Sequence, residues 1–240
     1  MKILVIVPAY NEADNIQNLI MSLRHEIEVE FDIVVINDCS TDSTSNAAFE
    51  VGANVIDLPC NLGIGGAVQT GYKYAYKHNY DIAIQVDGDG QHNPKFIKDL
   101  IEPIILKKAD FVIGSRFLER EGFQSSALRR IGIVYFSKII YLLTKQKVTD
   151  PTSGFRACNA SIIKMFANSY PIDYPEPETI VFLKRNEFTI KEIPVVMEER
   201  VGGVSSINLL KSVYYMVKVS IAILIDLMRD RKGVIKNGSV

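Results

Sequence analysis

The sequence predicts an α/β fold: a Rossmann-like, mostly parallel sheet flanked by helices, with amphipathic apolar helices towards the C-terminus. Three observations carry this. Short Val- and Ile-rich runs recur at 3–7, 33–36, 54–58, 82–86 and 111–113, and few alternate with polar residues. Strands without alternation are buried on both faces, as in parallel sheets. Helical patterns separate the runs, at 13–25, 43–51, 65–78 and 94–107, and strand–helix alternation builds such sheets through crossovers. A chain of 240 residues that is 48% hydrophobic and 23% charged can also bury one sizeable core.

The first run, Ile3 to Val7, ends at Pro8. Five apolar residues are too few for a signal-peptide core or a membrane span. The run therefore reads as a buried first strand, and the chain is expected to stay in the cytoplasm. Asp and Ser stand near several helix starts, where their oxygens can cap free backbone N–H groups. The back half differs. Segments 127–147 and 205–229 are long, apolar and studded with basic residues, and the mixed stretch between them holds a strand at 189–196. The expected division is a main domain over 1–204, including the amphipathic helix at about 127–147, and a C-terminal apolar helix with a short tail over 205–240.

Composition excludes several function classes. A formal net charge of −1 gives no global basic field for nucleic acid. Cys39, Cys60 and Cys158 are odd in number and widely spaced, which argues against a disulfide scaffold or structural zinc.

Ligands of such sheets bind outside the carboxyl ends of the strands. There the sequence places Pro8-Ala9-Tyr10-Asn11-Glu12, then Asn37-Asp38-Cys39-Ser40-Thr41-Asp42, then Asn61-Leu62-Gly63-Ile64-Gly65-Gly66-Ala67, then Asp87-Gly88-Asp89-Gly90-Gln91. Each alone is an ordinary turn or cap; four at one sheet edge point to a site. Residues two apart on an extended chain face the same way, so Asp87 and Asp89 are expected to share a pocket. Two like charges that close call for a cation. Their hard oxygens suit Mg2+ or Mn2+, with Gln91 as a further ligand. The glycine loop matches neither GxGxxG nor a P-loop.

Taken in order, these segments resemble the motifs of family 2 glycosyltransferases, and more narrowly the dolichol- or polyprenol-phosphate sugar synthase branch. Gly114-Ser115-Arg116-Phe117, Asp150-Pro151-Thr152-Ser153-Gly154-Phe155-Arg156, Glu192-Ile193-Pro194-Val195 and Glu199-Arg200-x-Gly202-Gly203-x-Ser205-Ser206 extend the resemblance. It implies a GT-A fold and an inverting transfer. Carried across, Pro8, Ala9, Tyr10 and Glu12 contact the nucleoside, Asp38 reads the base edge, and Asn61, Gly63 and Gly66 line the nucleotide pocket with Asp87 and Gly88. Asp87, Asp89 and Gln91 hold the metal, and Arg200 neutralises phosphate. Ser206 stands where the family commonly has lysine.

A lipid-phosphate acceptor is already anionic and needs no base, but it needs cations: Arg116, Arg129, Arg130 and Arg156, with Ser153, are the candidates. A glycan hydroxyl acceptor needs a general base, for which Asp150 and Glu178 are the candidates. The expected function is transfer from a UDP-hexose or UDP-N-acetylhexosamine to a polyprenyl phosphate, with the protein peripheral at the cytoplasmic membrane face. The alternatives are a hydroxyl acceptor and a noncatalytic nucleotide-sugar-binding subunit. Lys218 and Asp226 interrupt the last apolar stretch, so it reads as a helix in the interface, on the domain, or against a small membrane protein partner.

Overall fold

A computed structural model of the chain describes residues 1–26, 29–119, 121–122, 127–171, 175–198 and 209–228, leaving out the side chains of 127–129, 209–215 and 226–228. The described residues form one sheet from β1 (Ile3–Ala9), β2 (Asp32–Asn37), β3 (Asn54–Asp57), β4 (Ile82–Gln85), β5 (Phe111–Ser115), β6 (Arg156–Asn159) and β7 (Ile190–Pro194). The order is β3-β2-β1-β4-β6-β5-β7. All pairs are parallel except those of β6, which runs antiparallel to both β4 and β5.

The sheet is mostly parallel, as expected, and β6 is the addition. Arg156-Ala157-Cys158-Asn159 has no β-branched residue and begins and ends on polar ones, so local propensity does not mark it. Its neighbours make it a strand: Gln85 pairs with Arg156 on one side, and Phe111 with Cys158 on the other.

The helices are α1 (Ala13–Glu26), α2 (Thr44–Glu50), α3 (Gly63–Lys77), α4 (Ile97–Ile105), α5 (Ala127–Thr144), α6 (Ala160–Asn168), α7 (Pro175–Arg185) and α8 (Leu209–Met228). The stretch from 94 begins as a short 3-10 turn, Pro94–Phe96, capped by the Asn93 side chain on the Lys95 N–H. Helices α6 and α7 fall in the segment that the sequence left mixed. One face of the sheet packs on α1, α2 and α4, and the other on α3 and α5 to α8.

Helix α8 belongs to that second core. Val219 and Ile223 are buried with Phe136 and Ile140 of α5 and Ile180 of α7, and Tyr135 Oη meets Ser220 Oγ at 3.0 Å. Both helices also carry apolar residues outward: Ile131 is 64% exposed and Leu142 67%, with Val217, Ile221, Leu224 and Ile225 alongside on α8. No helix among the described residues is long and apolar enough to cross a membrane. Cys39 and Cys60 are exposed free thiols; Cys158 is buried, and burial pushes it up to about 12.

The strand order places the site. The chain runs outward from β1 to β2 and β3, then returns past β1 to β4. The carboxyl ends of β1 and β4 thus flank a topological switch point, where successive loops diverge and leave a crevice.

Helix α3 crosses β1 so closely that a Cβ on Gly71 would overlap Cγ2 of the buried Ile6. Gly71→Ala should therefore cost about 1–3 kcal/mol by overpacking. Urea unfolding of Gly71→Ala, Ile6→Ala and the double variant checks this: removing the offending methyl should make the double less destabilised than the sum of the singles. Strict additivity would contradict the contact.

Candidate functional site

At the switch point Pro8, Ala9, Tyr10, Glu12, Asp38, Ile64, Ala67, Asp87, Gly88 and Asp89 line one cleft of about 230 Å³. The loops that build it are stitched to one another. Asn11 takes a left-handed φ of 55° and Cys39 one of 60°. These turns let the Asn11 N–H donate to Ser40 Oγ (2.9 Å) while Asn11 Oδ1 accepts from the Thr41 N–H (2.8 Å). The Asp42 carboxylate accepts the Ala13 N–H at the start of α1 and the N–H and hydroxyl of Thr44. Burial pushes the Asp42 pKa up, but these bonds from Thr44 and Ala13 outweigh it and hold the carboxyl below its usual range.

Asp38 accepts the Leu62 N–H on Oδ1 (2.7 Å) and the Gly63 N–H on Oδ2 (2.9 Å). Expected at a base edge, it also caps α3 and fixes the glycine loop. Gly63, at φ 75°, makes the turn into the helix, and Asn61 braces it by donating to the Asp38 carbonyl and accepting from the Gly63 N–H. Asn61, Gly63 and Gly66 thus shape the loop, while Ile64 and Ala67 form its cleft wall. Tyr10 is 49% exposed at the rim. Glu12 is nearly buried and accepts from Asn15 at 2.7 Å.

Gly88 and Asp89 form a turn rather than an extended segment, followed by Gly90 at φ 74°. Asp87 and Asp89 still border the same cleft. Gly88 lies under β1, where a Cβ would stand 3.0 Å from the Pro8 carbonyl oxygen. Asp87 Oδ1 accepts from Gln85 Nε2 at 3.1 Å. The buried His92 accepts the Asp87 N–H on Nδ1 (3.0 Å), which leaves its ring proton on Nε2, 3.7 Å from Asp87 Oδ2. Phe155 stacks on that ring. From the other side Gly154 closes in so tightly that a Cβ would overlap Asp87 Oδ2. Neither Gln85 nor His92 was singled out from sequence. The available signal was one amide in the apolar run Ile82 to Val86, and a histidine five residues after Asp87.

Other expected site residues lie elsewhere. Asp150 is 0% exposed, and both its oxygens accept from the Arg116 guanidinium (2.7 and 2.9 Å). The expected base and the expected phosphate ligand are spent on each other. Glu192 of β7 holds this loop through the N–H groups of Thr149 and Asp150; burial raises its pKa, against those bonds. Arg156 and Ser153 are also buried: Ser153 Oγ accepts the Phe155 N–H, and Arg156 donates to protein oxygens. Glu178 lines a separate groove against α8 with Tyr170, Val181 and Ile223. Gln91 exchanges hydrogen bonds with the Glu198 backbone and is not among the cleft lining. Arg130 is exposed at the start of α5. Arg200 and the side chain of Arg129 fall outside the described residues.

The donor set suits a hard divalent cation. The cleft offers carboxylate oxygens from Asp87 and Asp89, while the accepting nitrogen of His92 is taken by the Asp87 N–H. Among the described residues no group of three or more His, Cys, Asp or Glu forms a metal cage. Mg2+ and Mn2+ sites built on one or two carboxylates take their remaining ligands from water and substrate phosphate.

A profile of glycosyl transferase family 2 matches residues 4–167. The chain is 32% identical to UDP-N-acetylglucosamine–dolichyl-phosphate N-acetylglucosaminyltransferase of Methanococcus voltae, over 80% of this chain and 84% of that one. It is 27% identical to undecaprenyl-phosphate mannosyltransferase of Micrococcus luteus, over 87% and 88%. Its fold is similar to glucosyl-3-phosphoglycerate synthase from Mycobacterium tuberculosis, solved with Mn2+, UDP and glucosyl-3-phosphoglycerate: TM-score 0.68 at 20% identity, over 94% of this chain and 79% of that one.

The Asp42 bonds predict a pH dependence. A folded pKa below the unfolded value of about 3.9 gives a contribution that is complete above that value and is lost as pH falls through the folded one. Asp42→Asn should be less stable than the native chain at neutral pH, with the gap narrowing on acidification below the usual carboxylate range. Denaturant midpoints across that range test it; a constant gap would count against the caps.

Proposed function

Because the chain belongs to glycosyl transferase family 2 and has the GT-A fold of that class, we propose that it transfers a sugar from a UDP-hexose or UDP-N-acetylhexosamine to a polyprenyl phosphate, with inversion, at the cytoplasmic face of a membrane. The cleft at the ends of β1 and β4 carries this reading, with Asp87 and Asp89 on one wall and Ile64 and Ala67 on the other. The nucleoside fits between Tyr10 and the loop after β3, with its pyrophosphate towards Asp89. Bound there, Mg2+ or Mn2+ supplies Lewis-acid stabilisation of the charge that develops on the departing nucleoside diphosphate. Asp38, by fixing the N-terminus of α3, keeps the loop in place while the nucleotide enters and leaves.

The state of two carboxylates favours a phosphate acceptor over a hydroxyl. A hydroxyl requires a base within hydrogen-bond reach. Asp150 is closed off by Arg116, and Glu178 faces α8. A lipid phosphate attacks as an anion and needs neither. The names of the Methanococcus and Micrococcus relatives carry lipid-phosphate acceptors, which supports the same reading. Arg129, Arg130 and Arg200 remain the candidates for meeting that phosphate. The outward apolar residues of α5 and α8 supply a face suited to the headgroup region, where apolar burial drives binding; a small membrane protein docked on it is the other occupant we consider.

Incubating the protein and Mn2+ with UDP-glucose, UDP-N-acetylglucosamine or GDP-mannose, with and without polyprenyl phosphate, should yield a phosphate-linked glycolipid from a UDP sugar. Asp89→Ala should lower kcat by roughly 100-fold or more with the fold intact. Transfer to a glycan hydroxyl with none to the lipid would reject the acceptor. Separately, Ile131→Glu with Leu142→Glu should reduce co-sedimentation with anionic vesicles while leaving the thermal midpoint near native; unchanged sedimentation would remove the membrane face from the reading.

A further inference from the structure

The geometry points to Arg156 as a positioning residue that ties the turn at 151–154 down onto Asp87. The inference rests on the functional reading above only for what Asp87 then helps to hold. Arg156 opens β6 with 1% exposure, a costly place for a charge. Its guanidinium has no ion pair with a carboxylate among the described residues. Instead each nitrogen makes one hydrogen bond: Nε to the Ser153 carbonyl (2.5 Å), Nη2 to the Pro151 carbonyl (2.9 Å) and Nη1 to Thr179 Oγ1 (2.7 Å). Phe111 lies beneath, with Cζ 5.6 Å from the ring centroid.

An apolar side chain would fill this space with a smaller desolvation cost. What it could not do is grip two carbonyls of one turn, for which a rigid planar fork is suited. That turn carries Gly154, whose missing Cβ lets the backbone press on both Asp87 oxygens. The far end of the loop is already fixed by the Arg116–Asp150 pair and Glu192. Arg156 therefore secures the end nearest Asp87.

The second line of support is register. Gln85 sits directly across from Arg156 in the β4–β6 pair, so the two side chains share a sheet face. Gln85 donates to Asp87 Oδ1, and its buried Oε1 has no hydrogen-bond partner. The carboxylate is thus bounded by Gln85, His92 and the glycine of the turn, and only the turn depends on Arg156.

Arg156→Gln, Arg156→Lys and Gly154→Ala test the clamp by three readouts: the thermal midpoint, Mn2+ affinity in the presence of UDP by calorimetry, and metal-free crystal structures. Arg156→Gln and Gly154→Ala should each weaken Mn2+ binding roughly 10- to 100-fold. Arg156→Lys should recover only part, since it keeps the charge without the fork. The Gly154→Ala/Arg156→Gln double should be no weaker than the weaker single, because both act through one carboxylate. The metal-free structures should show Asp87 displaced. A lowered midpoint with Asp87 in place and native Mn2+ affinity would make Arg156 merely structural and overturn the proposal. Should Arg156→Gln not fold, Arg156→Lys against Gly154→Ala carries the same comparison. If the native protein takes up no Mn2+ with UDP, the functional reading fails, and the position of Asp87 in the crystal structures alone decides the clamp.

Discussion

Two carboxylates kept in one cleft repel each other, and the architecture around the end of β4 can be understood as the answer to that repulsion. A carboxylate free to rotate would swing into solvent and leave its neighbour. Asp87 is denied that freedom by an amide from its own strand, a histidine five residues on, and a glycine from the next strand's approach. The glycine arrives from a separate direction because β6 runs antiparallel between β4 and β5. The antiparallel run brings the segment that leads into β6, with Gly154, to the end of β4, where a parallel strand would place the segment that follows it instead.

Legibility followed physical range. Strands β1, β2, β4 and β5 were readable because both faces are buried and their apolar runs are continuous, whereas the half-exposed edge strands β3 and β7 were read from shorter Val- and Ile-bearing stretches. The cluster of polar residues at strand ends was readable because topology gathers strand ends. Strand β6 was not, since its pairing is set by long-range neighbours. Helix α7 begins on Pro175-Glu176-Pro177, a sequence that reads as a break, yet prolines fit a first turn, where N–H groups lack intrahelical partners. Within the site, Asp87 and Asp89 were found for a partly mistaken reason, as the segment turns where it was expected to extend. The surroundings of the charged residues were least legible: Arg116, Asp150 and Arg156 are buried and hydrogen-bonded within the protein, which a one-dimensional reading does not reveal.

The same division appears in the glycine loop. Its residues were assigned to a ligand, but Gly63 and Asn61 answer first to Asp38. An acidic side chain that caps a helix beside a cleft can serve both neighbours, since each carboxylate oxygen has two lone pairs. The loop's shape exists before any ligand arrives, and entry then requires little reordering.

The buried Arg116–Asp150 pair carries an evolutionary consequence. Removing either partner strands the other's charge in the interior, whereas replacing both by apolar residues of similar volume can leave stability nearly unchanged. Descendants of this chain can therefore abandon the pair only through a coordinated double substitution or a deeply unstable intermediate. Drift at those two positions is coupled, and each remains locked to the other even if neither ever touches a sugar.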